Sequence, residues 1–343
     1  MASYTVPKET LNYEDFFPGF KALFEAEEYA STLTTDEVEK AKTELNEDPK
    51  ERVAAVQQLR DWINKQPHFE CCTDTLYLLS FLRRCKFSQL ECHAMLERNV
   101  CTLPSEVPEW SCNTDTLTER FRNILKEGFL IPLPHRDDEG RRVVLMRYGQ
   151  LRLADPNLYD WREYLRLISV MLTILQREEA TQVNGLVFLL DDTGIKVQHL
   201  TFVPIQKIRT VSRIFFSNFP GRVKALHLYN AGDLVNAILT LLGPLMPQKI
   251  RDRIVIHKNK LEDVYKHIPQ RILPLEYLPD DYEGPSAGYV DDIRGKHFFL
   301  RELTRKEVRD RLVFLSTEKM RYMPEKKDNG QQLEQTFRKL NVD

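Results

Sequence analysis

Leu186-Val-Phe-Leu-Leu190 is a run of five residues without a polar side chain, closed by Asp191-Asp192. A strand wet on one face alternates apolar with polar, so an unbroken run marks a strand covered on both, as in parallel sheets packed between helices. The flanking periodicity agrees. Arg142-Val-Val-Leu-Met-Arg147, introduced by the turn Asp137-Asp-Glu-Gly140, reads as a strand, and Tyr159 to Thr181 as one long amphipathic helix. Pro204 to Asn218 is helical, Val223 to Leu228 a strand, and Ile254 to His257 a last strand. Such alternation predicts an α/β fold with a mixed, mainly parallel sheet, right-handed crossovers and flanking helices.

Upstream the pattern is helical. Thr34-Thr-Asp-Glu37 and Ser88-Gln-Leu-Glu91 have the form of capping boxes, and Pro49 opens a helix whose Val53, Val56, Leu59 and Ile63 share a face until Pro67. Leu76 to Leu82 is a further buried helix, and the charges of Arg83-Arg84-Cys85-Lys86 after it suit a solvated end at the negative pole of its dipole. Phe16, Phe17, Phe20 and Phe24 are too many aromatics for a free tail and are expected to pack on the body. Beyond Pro285 the chain is polar and charged, with one helical pattern at Val308, Leu312 and Leu315. Three regions follow: a helical one at 1–118, an α/β domain at 119–283 and a charged tail at 284–343, expected to be loosely held.

Between the last two strands lies an unusual helix. At about 100° per residue Leu234, Val235, Ile238, Leu239, Leu241, Leu242, Leu245 and Met246 fall within one arc, with Asp233 as the expected N-cap and Gly243, Pro244 and Pro247 ending it. From Asp233 to Met246 it spans about 21 Å at roughly 1.5 Å per residue, short of the roughly 30 Å core of a bilayer. Taken alone, the stripe fits a buried core. Its surroundings point elsewhere: no Asp or Glu stands between Asp192 and Asp233, whereas Lys196, Lys207, Arg209, Arg213, Arg222 and Lys224 do, and Lys249 and Arg253 follow on a turn opening at Pro247. The formal net charge of the 343 residues is -2, so the basic field is local and suits an anionic membrane surface.

Other chemistries find little support. No glycine-rich phosphate loop of either common spacing occurs among the 13 glycines. Gly284-Pro-Ser286-Ala-Gly288 matches the spacing of a hydrolase nucleophile elbow, but Pro279-Asp-Asp-Tyr-Glu precedes it where a strand is required, so a loop is expected. Asp191 and Asp192 stand where α/β enzymes often place acids, without a partnered histidine, and capping of the loop is the better reading. His227 and His257 read as satisfied core groups. The six cysteines show no metal spacing and fit reduced, partly buried thiols. Aliphatic neighbours in place of stacking aromatics argue against nucleic acid. An acidic N-terminus without an apolar run and the lack of an N-x-[ST] acceptor fit a cytoplasmic protein.

Phe81-Leu-Arg83, Lys86-Phe87, Asn184-Gly185, Asn218-Phe-Pro220, His227-Leu-Tyr-Asn230, Lys249-Ile250, Arg253-Ile254, His257 and Leu273-Pro-Leu-Glu-Tyr277 occur in an order and spacing that resemble the CRAL-TRIO family, in its α-tocopherol transfer and retinaldehyde-binding branch. The resemblance implies a helical N-terminal domain and a sheet flooring an apolar lipid cavity, with Leu234, Val235, Ile238, Leu239, Leu242, Leu245 and Met246 on a mobile lid. It implies a cavity lining of Ile168, Leu172, Leu190, Val197, Val211, Ile214, Phe215, Phe219 and Val223. All nine are apolar, so the polar end of a ligand finds no partner among them. A phosphoinositide-headgroup cleft is implied at Arg222, Lys249 and Arg253, with Lys224 beside them. Cys85 stands where the family often has a further arginine, which implies a weaker cleft or substitution by Arg84 and Lys86; Leu278-Pro279 replaces its paired glycines.

The expectation is a monomeric, cytoplasmic carrier, not an enzyme, that needs no cofactor or metal. It holds a tocopherol, retinoid, carotenoid or phospholipid and exchanges it during transient contact with phosphoinositide-containing membranes. Its rivals are a lipid-sensing adaptor without transfer and an α/β enzyme using Asp191, Asp192 or Ser286.

Overall fold

The structure, a computed structural model, describes residues 29–66, 71–102, 106–107, 118–153, 155 and 157–296. Phe16, Phe17, Phe20, Phe24 and the pattern at Val308, Leu312 and Leu315 lie outside them.

Four helices open the fold: α1 (Thr35–Leu45), α2 (Arg52–Asn64), α3 (Thr75–Arg84) and α4 (Gln89–Glu97). Thr34 and Glu37 form the reciprocal capping box, and Ser88 accepts the Glu91 N–H at 3.4 Å. On α2, Val56, Leu59 and Ile63 are buried as expected but Val53 is 66% exposed. At about 100° per residue Arg52 falls inside the buried arc and Val53 at its edge, and Arg52 turns in to pair with Glu47. The end of α3 also departs from the solvated expectation. Arg83 is 1% exposed, donates to both oxygens of Glu47 at 2.8 Å, and reaches Glu179 at 2.9 Å and Gln182 at 2.7 Å. A guanidinium fork can satisfy several acceptors at once, so burial fastens the helical layer to the α/β layer.

After α5 (Glu119–Lys126) the chain builds β1 (Leu130–Arg136), β2 (Arg142–Arg147), β3 (Leu186–Asp191), β4 (Val223–Tyr229) and β5 (Ile254–Ile256). They lie in the order β1-β2-β3-β4-β5; β1 is antiparallel to β2 and the remaining neighbours are parallel. Pro132 and Pro134 hid β1 from the sequence reading, and both are tolerated because it is an edge strand. The period of two splits the sheet residues. Val144, Met146, Leu186 and Phe188 pack beneath α6 (Trp161–Leu175), whereas Val143, Leu145, Val187 and Leu189 pack against Val264, Ile268, Leu273 and Ile293 on the other face. Both faces are thus covered, which is why β3 needs no polar residue.

The single helix expected from Tyr159 to Thr181 is two, α6 and α7 (Glu179–Asn184). Extended backbone at Glu178 breaks it, and that carboxylate turns to receive Arg136 at 2.7 Å and Arg142 at 2.8 Å. His227 and His257 are buried, with Nδ1 and Nε2 2.9 Å apart. Cys71, Cys72, Cys85 and Cys92 are buried thiols, none of them in a disulfide. Past Pro285, Val290–Lys296 is a further helix whose Val290 and Ile293 are buried on the sheet, its start held by Glu276, which accepts the Val290 N–H at 2.9 and 3.0 Å. Among the described residues no helix is long and apolar enough to cross a membrane.

Candidate functional site: an apolar cavity and a cationic cleft

Between the sheet and the helices α8 (Val197–Thr201), α9 (Ile205–Asn218) and α10 (Asp233–Leu242) lies a cavity of about 440 Å³. Gly232, in extended backbone, is the N-cap of α10; Asp233 sits instead in the first turn, where a carboxylate meets the positive end of the helix dipole. Gly243–Leu245 tightens into a 3-10 turn before Pro247 opens α11 (Gln248–Arg251). Val235, Ile238, Leu239, Leu242 and Met246 line the cavity, as the lid expectation has it. Leu234 is half-buried outside the lining, and the side chains of Leu241 and Leu245 lie outside the described ones.

Of the expected cavity residues, Ile168, Leu190 and Val211 line it. Leu172, 4% exposed, is packed into the core beneath α6. Val197 is 66% exposed: it stands two positions before the cavity-facing His199, on the opposite side of a short helix. Phe215 and Phe219, stacked 4.9 Å apart, line the neighbouring cleft with Val223. The side chain of Ile214 lies outside the described ones. Sequence reasoning missed Ile205 and Ile208, although their spacing with Val211 puts the three on one face of α9. It also missed the polar lining residues Asp192 and His199.

The expected headgroup cations do come together. Arg222, Lys224, Lys249 and Arg253 surround a cleft of about 180 Å³, joined by Arg84 and Lys86 from the end of α3. Cys85, between those two, points inward and is buried. Arg222 and Arg253 are held by their own fold: each donates through Nη1 to a backbone carbonyl, of Val183 and Val223 respectively. Gly185 makes the first of these anchorages possible. Its φ is +91°, and a Cβ there would stand 2.5 Å from the Arg222 carbonyl oxygen.

Within the cleft positive charges crowd one another. Burial and then the charges of Arg253, Arg84, Lys86 and Arg222 push the Lys249 ammonium below its ordinary range; burial, Arg222 and Arg84 do the same to Arg253. Among the described residues the carboxylate paired to these cations is Glu44, 2.5 Å from Arg222 and 3.4 Å from Lys224. An anion entering the cleft relieves the repulsion.

The cleft and the cavity share a wall. Met246 and Ile254 face the cavity, while Pro247, Lys249, Ile250 and Arg253, between them in the chain, face the cleft.

Residues 126–277 match the CRAL/TRIO domain, and residues 48–121 match the Pinta-like UBA domain. Proteins described as alpha-tocopherol transfer protein-like from Homo sapiens and Pongo abelii are each 33% identical over 264 residues, covering 77% of this chain and 74% of their own. The chain belongs to the CRAL-TRIO family. Clavesin-1 of Rattus norvegicus is 27% identical over 246 residues, 71% of this chain and 68% of its own. Among solved structures, that of Sfh5 aligns with a TM-score of 0.49 at 13% identity, over 80% of this chain and 99% of its own. In this CRAL-TRIO chain the Glu276-Tyr277 motif has a structural role: Glu276 caps the helix at Val290, and Tyr277 donates to Asp191 Oδ2 at 2.5 Å. Where paired glycines are usual, Leu278 is buried and Pro279 opens a turn closed by the Tyr282 N–H at 3.0 Å.

Proposed function

We propose that the protein carries a small hydrophobic ligand in the cavity under α10 and exchanges it at phosphoinositide-containing membranes. The observation that carries this reading is the shared wall of residues 246–254, which borders the oily space on one side and the crowded cations on the other. The relatives described as alpha-tocopherol transfer protein-like support a lipid cargo, of which tocopherols, retinoids, carotenoids and phospholipids are the classes considered.

Energetics favour a lid that opens at a membrane and stays shut in water. The five cavity-facing side chains of the α10 region are worth roughly 1.5–3 kcal/mol each when kept from water, about 7–15 in all. Each cation near an anionic leaflet contributes on the order of 1 kcal/mol, enough to recruit and orient the protein but not to lift the lid. Lipid must therefore replace the cavity wall as the apolar partner of α10, and headgroup capture at Arg222, Lys249 and Arg253 biases the shared wall toward the open state. On this reading the protein is cytoplasmic and meets membranes transiently.

The Asp191 carboxylate is occupied by Tyr277 and the Thr193 N–H, and Ser286 lies in a loop where it accepts the Gly288 N–H at 3.2 Å, which supports carriage over catalysis. Organic extraction of the purified protein, followed by mass spectrometry, is expected to yield a stoichiometric lipid. Transfer of a fluorescent tocopherol between liposomes is expected to quicken when acceptors contain phosphoinositide and to lose that gain in Arg222→Ala/Arg253→Ala. Equal transfer by the variant removes the headgroup step, and ligand retained despite acceptors identifies an adaptor.

A further inference from the structure

The cavity is not uniformly apolar. At the end of β3 the two neighbouring carboxylates have different surroundings. Asp191 is fully engaged: Oδ2 accepts from the Tyr277 hydroxyl and Oδ1 from the Thr193 N–H at 2.9 Å. Asp192 lines the cavity, is 5% exposed, and its buried Oδ2 has no hydrogen-bond partner among the described residues. His199, on α8, lines the same space, and its buried Nε2 is likewise without a partner. Its Nδ1 lies 3.0 Å from the Lys196 backbone nitrogen and 3.3 Å from the Lys196 carbonyl oxygen; the tautomer that makes the shorter contact accepts the Lys196 N–H at Nδ1 and carries its proton on Nε2. Tyr148 and Tyr164, also in the lining, lie side by side, and burial raises both hydroxyls above their ordinary range.

Among the described residues the cavity wall therefore holds one buried acceptor and one buried donor that no protein group pairs. Buried polar groups in folded proteins are almost always paired, and an unpaired one in a ligand cavity is paired by the ligand. We propose that Asp192 and His199 form the polar pole of the binding site and that the cargo is an uncharged lipid alcohol or phenol, whose hydroxyl donates to Asp192 Oδ2 and accepts from His199 Nε2–H. The assignment rests on the carrier reading and narrows it. A lipid aldehyde offers an acceptor only and leaves the ionised Asp192 unpaired; a fatty acid or phosphate brings a further anion against Asp191 and Asp192. Burial and the adjacent Asp191 push the Asp192 carboxyl up to about 7, in keeping with an environment that resists added negative charge. The turn bearing it is rigid: a Cβ on Gly149 would stand 2.0 Å from the Thr193 carbonyl oxygen, and Asn230 donates to the Thr193 hydroxyl at 3.1 Å.

Flexible alkyl probes test the head group without presuming the shape of the natural tail. The full chain is loaded with diphenylhexatriene, an uncharged fluorophore without a head group, and titrated at pH 9, where Asp192 is ionised, with hexadecanol, hexadecanal or hexadecanoate. Hexadecanol is expected to displace the fluorophore at concentrations about tenfold below the other two, the ratio one well-made buried hydrogen bond supports. Asp192→Leu is expected to abolish that ratio and Asp192→Asn, which retains an acceptor, to keep most of it; taking the ratio within each protein cancels changes in overall affinity. An aldehyde or acid that competes as well as the alcohol overturns the proposal, as does a preference that survives Asp192→Leu. A chain that takes up no diphenylhexatriene refutes the carrier reading itself, and this assignment falls with it.

Discussion

Glu44 Oε2 lies 2.5 Å from Arg222 Nη2 and, on the same oxygen, 3.4 Å from Lys224 Nζ. Burial opposes its charge, yet the Arg222 hydrogen bond and the charges of Lys224 and Arg222 hold the carboxyl below the ordinary range. A carboxylate from the helical layer thus stands where the proposed headgroup would place an oxygen. Glu44→Gln removes about one charge contact, on the order of 1 kcal/mol, and is expected to strengthen binding to phosphoinositide vesicles about fivefold. Co-sedimentation at two ionic strengths checks this, because the gain must shrink as salt rises.

Arg83 ties the helical layer to Glu179 and Gln182 of the α/β layer. Arg83→Met leaves Glu179, 1% exposed, as a buried carboxylate without its cation, and Glu47, 0% exposed, with Arg52 alone. The expected loss is about 3–5 kcal/mol, read from the urea midpoint at constant slope.

Asp192 predicts a pH dependence of stability. Its carboxyl is pushed up to about 7 in the folded chain, against roughly 3.9 when unfolded. Folding therefore takes up a proton between about pH 4 and 7, and the stability of the empty protein falls as pH rises through that window. Asp192→Asn has no charge to bury, so its Tm is expected to exceed that of the parent by more at pH 8 than at pH 5. A pH-independent difference refutes the burial of that charge.

Gly185 predicts a coupling between backbone and cleft. Alanine there must adopt a φ of +91° and meet the Arg222 carbonyl, so Gly185→Ala is expected to cost about 1–3 kcal/mol and to displace Arg222. Calorimetry and vesicle binding should both report it.

The parallel sheet and the amphipathic stripe of α10 are legible in sequence because each depends on local pattern, an unbroken apolar run and a helical period; that Arg222, Lys224, Lys249 and Arg253 meet at one cleft is an implication of the family resemblance. What escaped was set by distant partners. Arg83 reads as a solvated helix end until Glu47 and Glu179 are placed around it, and Glu178 breaks the helix expected across it because Arg136 and Arg142 approach from strands. Phe215 and Phe219 are as greasy as any cavity residue, yet they line the cleft because they lie near the end of α9, away from Ile205 and Ile208. Asp192 was weighed as a catalyst or a cap; only the enclosure shows a carboxylate facing oil.

Because Met246 and Ile254 face grease while Lys249 and Arg253, between them in the chain, face charge, the two specificities proposed for this protein are not separately adjustable. A substitution that retunes which headgroup is welcomed also reshapes the room behind it. Variants selected for a new membrane address should therefore arrive with altered cargo.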